Sequence, residues 1–68
     1  MRFEYDKEAD AAYIYLDYPI KKGMAQKTIQ LNDNIILDFD RKGKLLGIEV
    51  LDARKMLHKK TLLQVQHA

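Results

Sequence analysis

Apolar and polar side chains alternate with a period of two over most of the chain before Val50. Phe3 and Tyr5 alternate with Arg2, Glu4 and Asp6, the pattern of a strand buried on one face. Asp6 and Asp10 bound a polar stretch suited to a turn, because short polar side chains bond nearby backbone N–H groups. In AAYIYLDY (11–18), Ala12, Ile14 and Leu16 fall on one face and Tyr13, Tyr15 and Asp17 on the other. Pro19 and Gly23 bracket a loop. QKTIQL (26–31) alternates again, with Ile29 and Leu31 on its apolar side, and Asn32, Asp33 and Asn34 then form a short turn.

The next stretch, DFDRKGKLLGIE (38–49), admits two readings. Asp38, Asp40, Gly43 and Glu49 stand at the spacing of a calcium-binding loop. That loop needs an oxygen ligand at its fifth position, where Lys42 stands, and a polar group at its ninth, where Leu46 stands. It also needs a helix on either side, whereas both flanks here alternate as strands. The alternative is a hairpin with Lys42-Gly43 as a two-residue loop. Arg41 then faces Lys44, and Phe39/Leu46, Leu37/Ile48 and Ile35/Val50 form apolar pairs on one face. Slipping the register by one residue would set Ile35 against Glu49 and bury a carboxylate. A bulge at Gly43 is a variant of the same hairpin, because lysine disfavours the left-handed region. On the far face Asp38 and Glu49 become diagonal neighbours near Asp40, a candidate acidic face whose ordinary reading is a solvated sheet surface.

After Val50 the period changes. Asp52 suits a helix N-cap, Ala53, Met56 and Leu57 recur at helical spacing, and the later cations suit a helix's negative carboxyl end. The tail 61–68 fits strand and helix equally. The pattern therefore predicts one α+β domain over 1–68 with its core at about 3–57. It is an antiparallel β-meander of about five strands, with one C-terminal helix packed on the sheet by Met56 and Leu57. Short connections favour pairing between sequence neighbours.

Length changes the picture in one respect. A chain of 68 residues without cysteine has no disulfides to add to a small core, so self-association is the expected support. No apolar run is long enough to span a membrane, and the acidic amino terminus lacks a signal-like apolar core, which points to the cytoplasm. The formal net charge of +2 hides an asymmetry, since residues 1–20 sum to −3 and residues 41–60 to +5. The basic carboxy-terminal third makes Arg54, Lys55, Lys59 and Lys60 a candidate surface for nucleic acid or an acidic protein.

Candidate chemistry is thin. Without Ser or Cys, a hydroxyl or thiol nucleophile with a histidine base cannot be built in the usual way. The glycines are isolated, so there is no phosphate cradle, and Gly47 in mid-strand suggests a close-packed neighbour or a bulge. Asp6, Asp10, Asp38 and Glu49 lack the concavity that would keep an acid–base pair dry. The reading is a non-enzymatic protein with no catalytic, cofactor-binding or metal-binding residues. Tyr13, Tyr15 and Tyr18 resemble a base-stacking platform but lie in the acidic third, so Tyr13 and Tyr15 are read as an interaction surface.

Several phrases together carry a family resemblance. YDKEADAAYIYL (5–16) and IILDFDRKGKLLGIEVLDA (35–53) are similar to the small prokaryotic family called domain of unknown function 2283. The matching positions are Tyr5, Asp6, Ala9, Asp10 and Ala11, then Ile36, Leu37, Asp38, Asp40, Gly43, Gly47, Ile48, Glu49, Leu51, Asp52 and Ala53. The resemblance implies a sheet-plus-helix unit with no assigned activity, hence no catalytic residues to carry over, and an accessory role that includes antitoxin-like binding. The segment after Leu57 is more basic than the family's usual ending. The function expected is an interaction module, a homodimer or a binder of another small protein. The alternative is nucleic-acid binding through the basic helix.

Overall fold

The computed structural model of the protein describes residues 1–64 and the backbone of 66 and 67. Its strands are β1 (Arg2–Asp6), β2 (Ala11–Tyr15), β3 (Lys27–Gln30), β4 (Ile35–Phe39) and β5 (Leu45–Leu51). Two helical turns follow, α1 (Ala53–Met56) and α2 (Lys59–Leu62), and then a two-residue strand β6 (Gln66–His67). The five main strands pair antiparallel and β6 lies parallel to β1, so the expected α+β architecture is the observed one.

The strand order is β3-β4-β5-β2-β1-β6. It consists of a hairpin, β1–β2, and a three-strand meander, β3–β4–β5, joined by pairing β5 to β2. Among the five main strands, neighbour-to-neighbour pairing therefore fails at one place, between β2 and β3. The reason lies in β5, LLGIEVL, the longest strand, whose Leu46, Gly47 and Val50 are buried and which gains most from the middle of the sheet. The connection over residues 16–26 is long enough to carry the chain past β5 and β4.

Register sorts the side chains onto two faces. Phe3↔Ile14, Tyr5↔Ala12, Ala12↔Val50, Ile14↔Ile48, Ile35↔Val50 and Leu37↔Ile48 make one face apolar across four strands. On it Tyr5, Ala12, Val50 and Ala53 form the buried core, with Phe3, Ile35, Ile48, Leu57 and Leu62 packed around them.

The β4–β5 hairpin keeps the expected pairs Ile35/Val50 and Leu37/Ile48 but not the two-residue loop. Phe39 stands opposite Leu45 rather than Leu46, and the register shifts between Asp38 and Phe39. The Asp40 N–H donates to the Lys44 carbonyl, so Arg41, Lys42 and Gly43 form a three-residue loop. Only Gly43 takes a positive φ, 84°, which spares Lys42 the left-handed region that a two-residue loop would impose. Asp40 accepts the Lys42 and Lys44 N–H groups, both at 2.9 Å, and locks the turn. Leu46 is the extra residue. It is 3 % exposed, and its carbonyl accepts the Leu16 and Asp17 N–H groups, so the bulge also anchors the end of β2.

The single C-terminal helix is instead two four-residue turns, because Leu57 between them is extended (φ −116°, ψ 147°). That break points Leu57 at the core while Met56, expected to be buried, is 40 % exposed. Asp52 occupies the N-cap position of α1 in a left-handed conformation and makes no side-chain cap. Asp10 caps α1 from across the fold: its carbonyl accepts the Ala53 N–H at 2.9 Å and its carboxylate the Arg54 N–H at 3.1 Å. In the tail, 61 and 62 are helical and 66–67 strand; Val65 and Ala68 lie outside the described residues.

Candidate interaction surface

The second face of the sheet carries the polar positions, and the same register assembles them. Arg2↔Tyr15, Glu4↔Tyr13, Tyr13↔Glu49, Tyr15↔Gly47, Asp38↔Gly47 and Thr28↔Asp38 lie side by side across five strands. Gly47 is the key to this face. A Cβ there would lie 2.5 Å from the Tyr13 ring, so the ring occupies the space a side chain would need. Because that space is open to it, Tyr13 on β2 reaches across β5 and its hydroxyl donates to Asp38 Oδ2 on β4 at 2.6 Å. Thr28 on β3 donates to Asp38 Oδ1 at 2.7 Å. One carboxylate thus ties three strands, β2, β3 and β4, together through two hydroxyls.

Nearer β1 a second group forms. The Tyr15 hydroxyl donates to Glu4 Oε1 at 3.1 Å, and Arg2 Nε bonds Glu4 Oε2 at 2.6 Å. The Arg2 guanidinium lies 4.9 Å from the centre of the Tyr18 ring, which meets Tyr15 edge-on at 5.0 Å. Tyr13 and Tyr15 are 4.6 Å apart and half-buried, while Tyr18 is 50 % exposed. Of the expected tyrosine surface, the two strand residues are held inside a network and Tyr18 is the ring that meets solvent.

The acidic group is divided. Asp38 and Glu49 share this face, as their strand positions predict, but both Asp38 oxygens accept hydroxyl protons and Asp40 belongs to the hairpin turn. Among the described residues no three His, Asp or Glu side chains stand close enough to hold a metal ion. The basic group is divided too. Arg54 and Lys55 sit on α1, and Lys59 and Lys60 on α2; all are exposed, and Arg54 lies 3.4 Å from Asp10. They lie on two separate helical turns and not on one helix.

Two features escaped the sequence. Thr28 was legible in principle, because a turn at 32–34 pairs Leu31 with Ile35 and hence Thr28 with Asp38. The other is a hollow of about 490 Å³ lined by Gly23, Met24, Gln26, Asp40, Arg41, Lys42 and Lys44, where the 16–26 connection meets the hairpin tip. Nothing local in the chain signals that meeting.

Titration follows the geometry. The Arg2 guanidinium holds the Glu4 carboxyl below the usual range, and the Tyr5 hydroxyl, bonded at 2.7 Å, does the same for Asp10. Loss of water first, and then the carboxylate each one bonds, push the Tyr13 and Tyr15 hydroxyls up. The bond to Asp10 raises Tyr5. A lowered carboxylate stabilises the fold above its unfolded pKa, about 4, and that contribution disappears as pH falls through the folded value. A raised tyrosine stabilises below its unfolded pKa, about 10, and the contribution disappears as pH rises through the folded value. Thermal melting followed against pH is therefore expected to show a plateau bounded by acid and alkaline losses. Tyrosinate absorbance should lag behind that of free tyrosine. A melting temperature flat from pH 3 to 5 would contradict the carboxylate assignments.

Together the fold and the polar network define a small α+β domain on an antiparallel sheet, with a hydroxyl–carboxylate lattice across one face. The chain belongs to the family described as "Protein of unknown function (DUF2283)", which matches residues 2–54. It is also 37 % identical over 59 residues to the uncharacterized protein MJ0789 of Methanocaldococcus jannaschii, covering 85 % of this chain and 46 % of that protein. The chain thus spans about half the length of this curated relative. No solved structure matches it.

Proposed function

We propose that this chain is a non-enzymatic protein-interaction module that self-associates, acting in the cytoplasm as an accessory protein of the antitoxin kind. One observation carries the reading: the apolar face of the sheet is only partly roofed, and Ile29, Leu31 and Met56 are left 39, 63 and 40 % exposed. The polar face supports it from the other side, since its tyrosines and carboxylates bond one another. No helix among the described residues is long and apolar enough to cross a membrane. Sedimentation velocity over a wide concentration range tests the reading. A species of twice the 8.0 kDa chain mass, growing with concentration, is expected; a strict monomer at high concentration would contradict it.

A second reading, nucleic-acid binding, is favoured by the end of the sheet that carries the hairpin tip. Arg41, Lys42 and Lys44 gather there with the Lys21–Lys22 stretch close behind the Gly23–Met24 wall of the hollow. Asp40 in the same wall is engaged by the turn. This reading predicts affinity for a short oligonucleotide that falls steeply with salt. Replacing Arg41, Lys42 and Lys44 by glutamine should flatten the salt slope by about one unit for each phosphate no longer neutralised. Absence of binding at low salt would end it. If the C-terminal cations held the nucleic acid instead, replacing those three would leave the slope unchanged, which separates the two basic surfaces.

A further inference from the structure

The hollow of about 490 Å³ between the 16–26 connection and the hairpin tip has hydrogen-bonded walls on both sides. On the hairpin side the Asp40 carbonyl accepts the Gly43 N–H and its carboxylate the Lys42 and Lys44 N–H groups, which fixes the tip. On the other side the Gln26 N–H donates to the Phe39 carbonyl at 2.9 Å and holds the connection against β4. The Met24 N–H donates to the Lys21 carbonyl at 3.0 Å, and the Gln26 side-chain amide donates to the Gly23 carbonyl, so this wall is a turn closed on itself. Gly23 takes a φ of 87° there, and a Cβ on it would meet nothing within 4 Å, so the glycine serves the backbone of the turn.

Charge and size bear on the occupant. Arg41, Lys42 and Lys44 line the hollow against Asp40 alone, a formal sum of +2. Among the described residues the ion pairs are Arg2–Glu4 and Arg54–Asp10, so none of the three cations has an acidic partner within ion-pair distance. Asp40 already takes up the N–H groups of residues 42–44, so an anion here would be held by side chains and not by a backbone nest. A guanidinium fork beside two ammonium groups suits the oxygens of a phosphate. A phosphate monoester carries about −1.5 to −2 charges at pH 7, which balances the lining. The volume falls in the ~300–1,000 Å³ range of small-ligand sites, far more than a bare phosphate fills. Met24, half-buried in the wall, offers a polarizable apolar surface to the rest of such a molecule.

We propose that this hollow binds a small phosphate monoester of mononucleotide size, its phosphate held by Arg41, Lys42 and Lys44 and its planar or apolar body laid against Met24. The site goes beyond the self-association reading and does not rest on it. It also differs from a track for nucleic acid, because the group recognised is a terminal phosphate, which a continuous backbone lacks.

Amide NMR spectra of the full chain test the assignment, titrated with adenosine 5′-monophosphate, adenosine, inorganic phosphate and a single-stranded oligonucleotide without terminal phosphates. The monophosphate should shift the signals of Gly23, Met24, Gln26 and residues 41–44. Adenosine and inorganic phosphate should each bind at least ~10-fold more weakly, since each lacks one of the two recognised parts. Arg41→Gln and Lys44→Gln, both at exposed positions, should each weaken the monophosphate by about 10-fold or more, the loss of a charged hydrogen bond. The double variant Lys59→Gln/Lys60→Gln removes two charges from α2 and should leave the affinity unchanged. No saturable shift at millimolar monophosphate, inorganic phosphate as tight as the monoester, or an equal loss in the α2 variant overturns the assignment. An oligonucleotide that binds as tightly through Arg41 and Lys44 also overturns it and leaves the nucleic-acid reading standing. Every arm reads binding and not mass, so the result is independent of whether the chain dimerises.

Discussion

Replacing Gly47 by alanine is expected to destabilise the protein by about 2–4 kcal/mol, a large effect for a single methyl group. The added Cβ would lie 2.5 Å from the Tyr13 ring, where no non-bonded carbon can sit. The ring is fixed at its far end by the bond to Asp38, so it cannot swing aside and keep that bond. Displacing it costs the strain of overpacking, typically 1–3 kcal/mol, and leaves Asp38 without one of its two donors, another ~1–3 kcal/mol. The terms overlap, because a ring that moves relieves the strain as it breaks the bond, so the total falls short of their sum. Urea unfolding of Gly47→Ala, Tyr13→Ala and the double variant would measure it. In the Tyr13→Ala background the alanine at 47 should cost little and even recover some strand propensity. An equal cost in both backgrounds would show that Gly47 serves the backbone and not the ring.

The second large effect concerns Ala53, which is wholly buried at the start of α1. Ala53→Asp is expected to leave the chain unfolded at room temperature. Two effects compete there. An acid in the first turn of a helix is favourable by at most about 1 kcal/mol when exposed. A carboxylate placed in a core without a partner costs several kcal/mol even after relaxation. Asp10, whose carbonyl and carboxylate already serve this turn, adds like charge. Burial wins, and a domain of this size holds only ~3–10 kcal/mol in reserve. Circular dichroism showing a native spectrum and cooperative melting for Ala53→Asp would refute the assignment of Ala53 to the core. Ala53→Gly, which adds no bulk and no charge, should remain folded, with a loss near the ~1 kcal/mol of helix propensity.

The two positions differ in how far they could be read in advance. A glycine in the middle of LLGIEVL announces that something approaches closely, but not what. Tyr13 becomes the neighbour only because β5 lies beside β2, a pairing between segments more than thirty residues apart. Asp52 looked like the cap of α1 because it stands immediately before the helical pattern. Asp10 took that role because the β1–β2 turn reaches the start of α1 in three dimensions. The loop of the last hairpin shows a nearer failure. The pairs Ile35/Val50 and Leu37/Ile48 followed from alternation, while the three-residue turn and the bulge at Leu46 came from the Asp40 carboxylate and the backbone demands of β2.

What the sequence determined by itself was most of what has a short period: the five main strands, which residues of each share a face, roughly where the turns between them fall, and that the chain turns helical soon after Val50. Those features depend on side chains a few residues apart, whose energetics are local. The tertiary structure alone decided the order of the strands, the break of the helix at Leu57, the reach of Tyr13 over Gly47 to Asp38, and the part of the apolar face left unroofed. Each of these depends on which distant segments compete to cover the same surface. In a chain with so small a core, the winner is the arrangement that seats β5 between β4 and β2, with β3 left at an edge of the sheet.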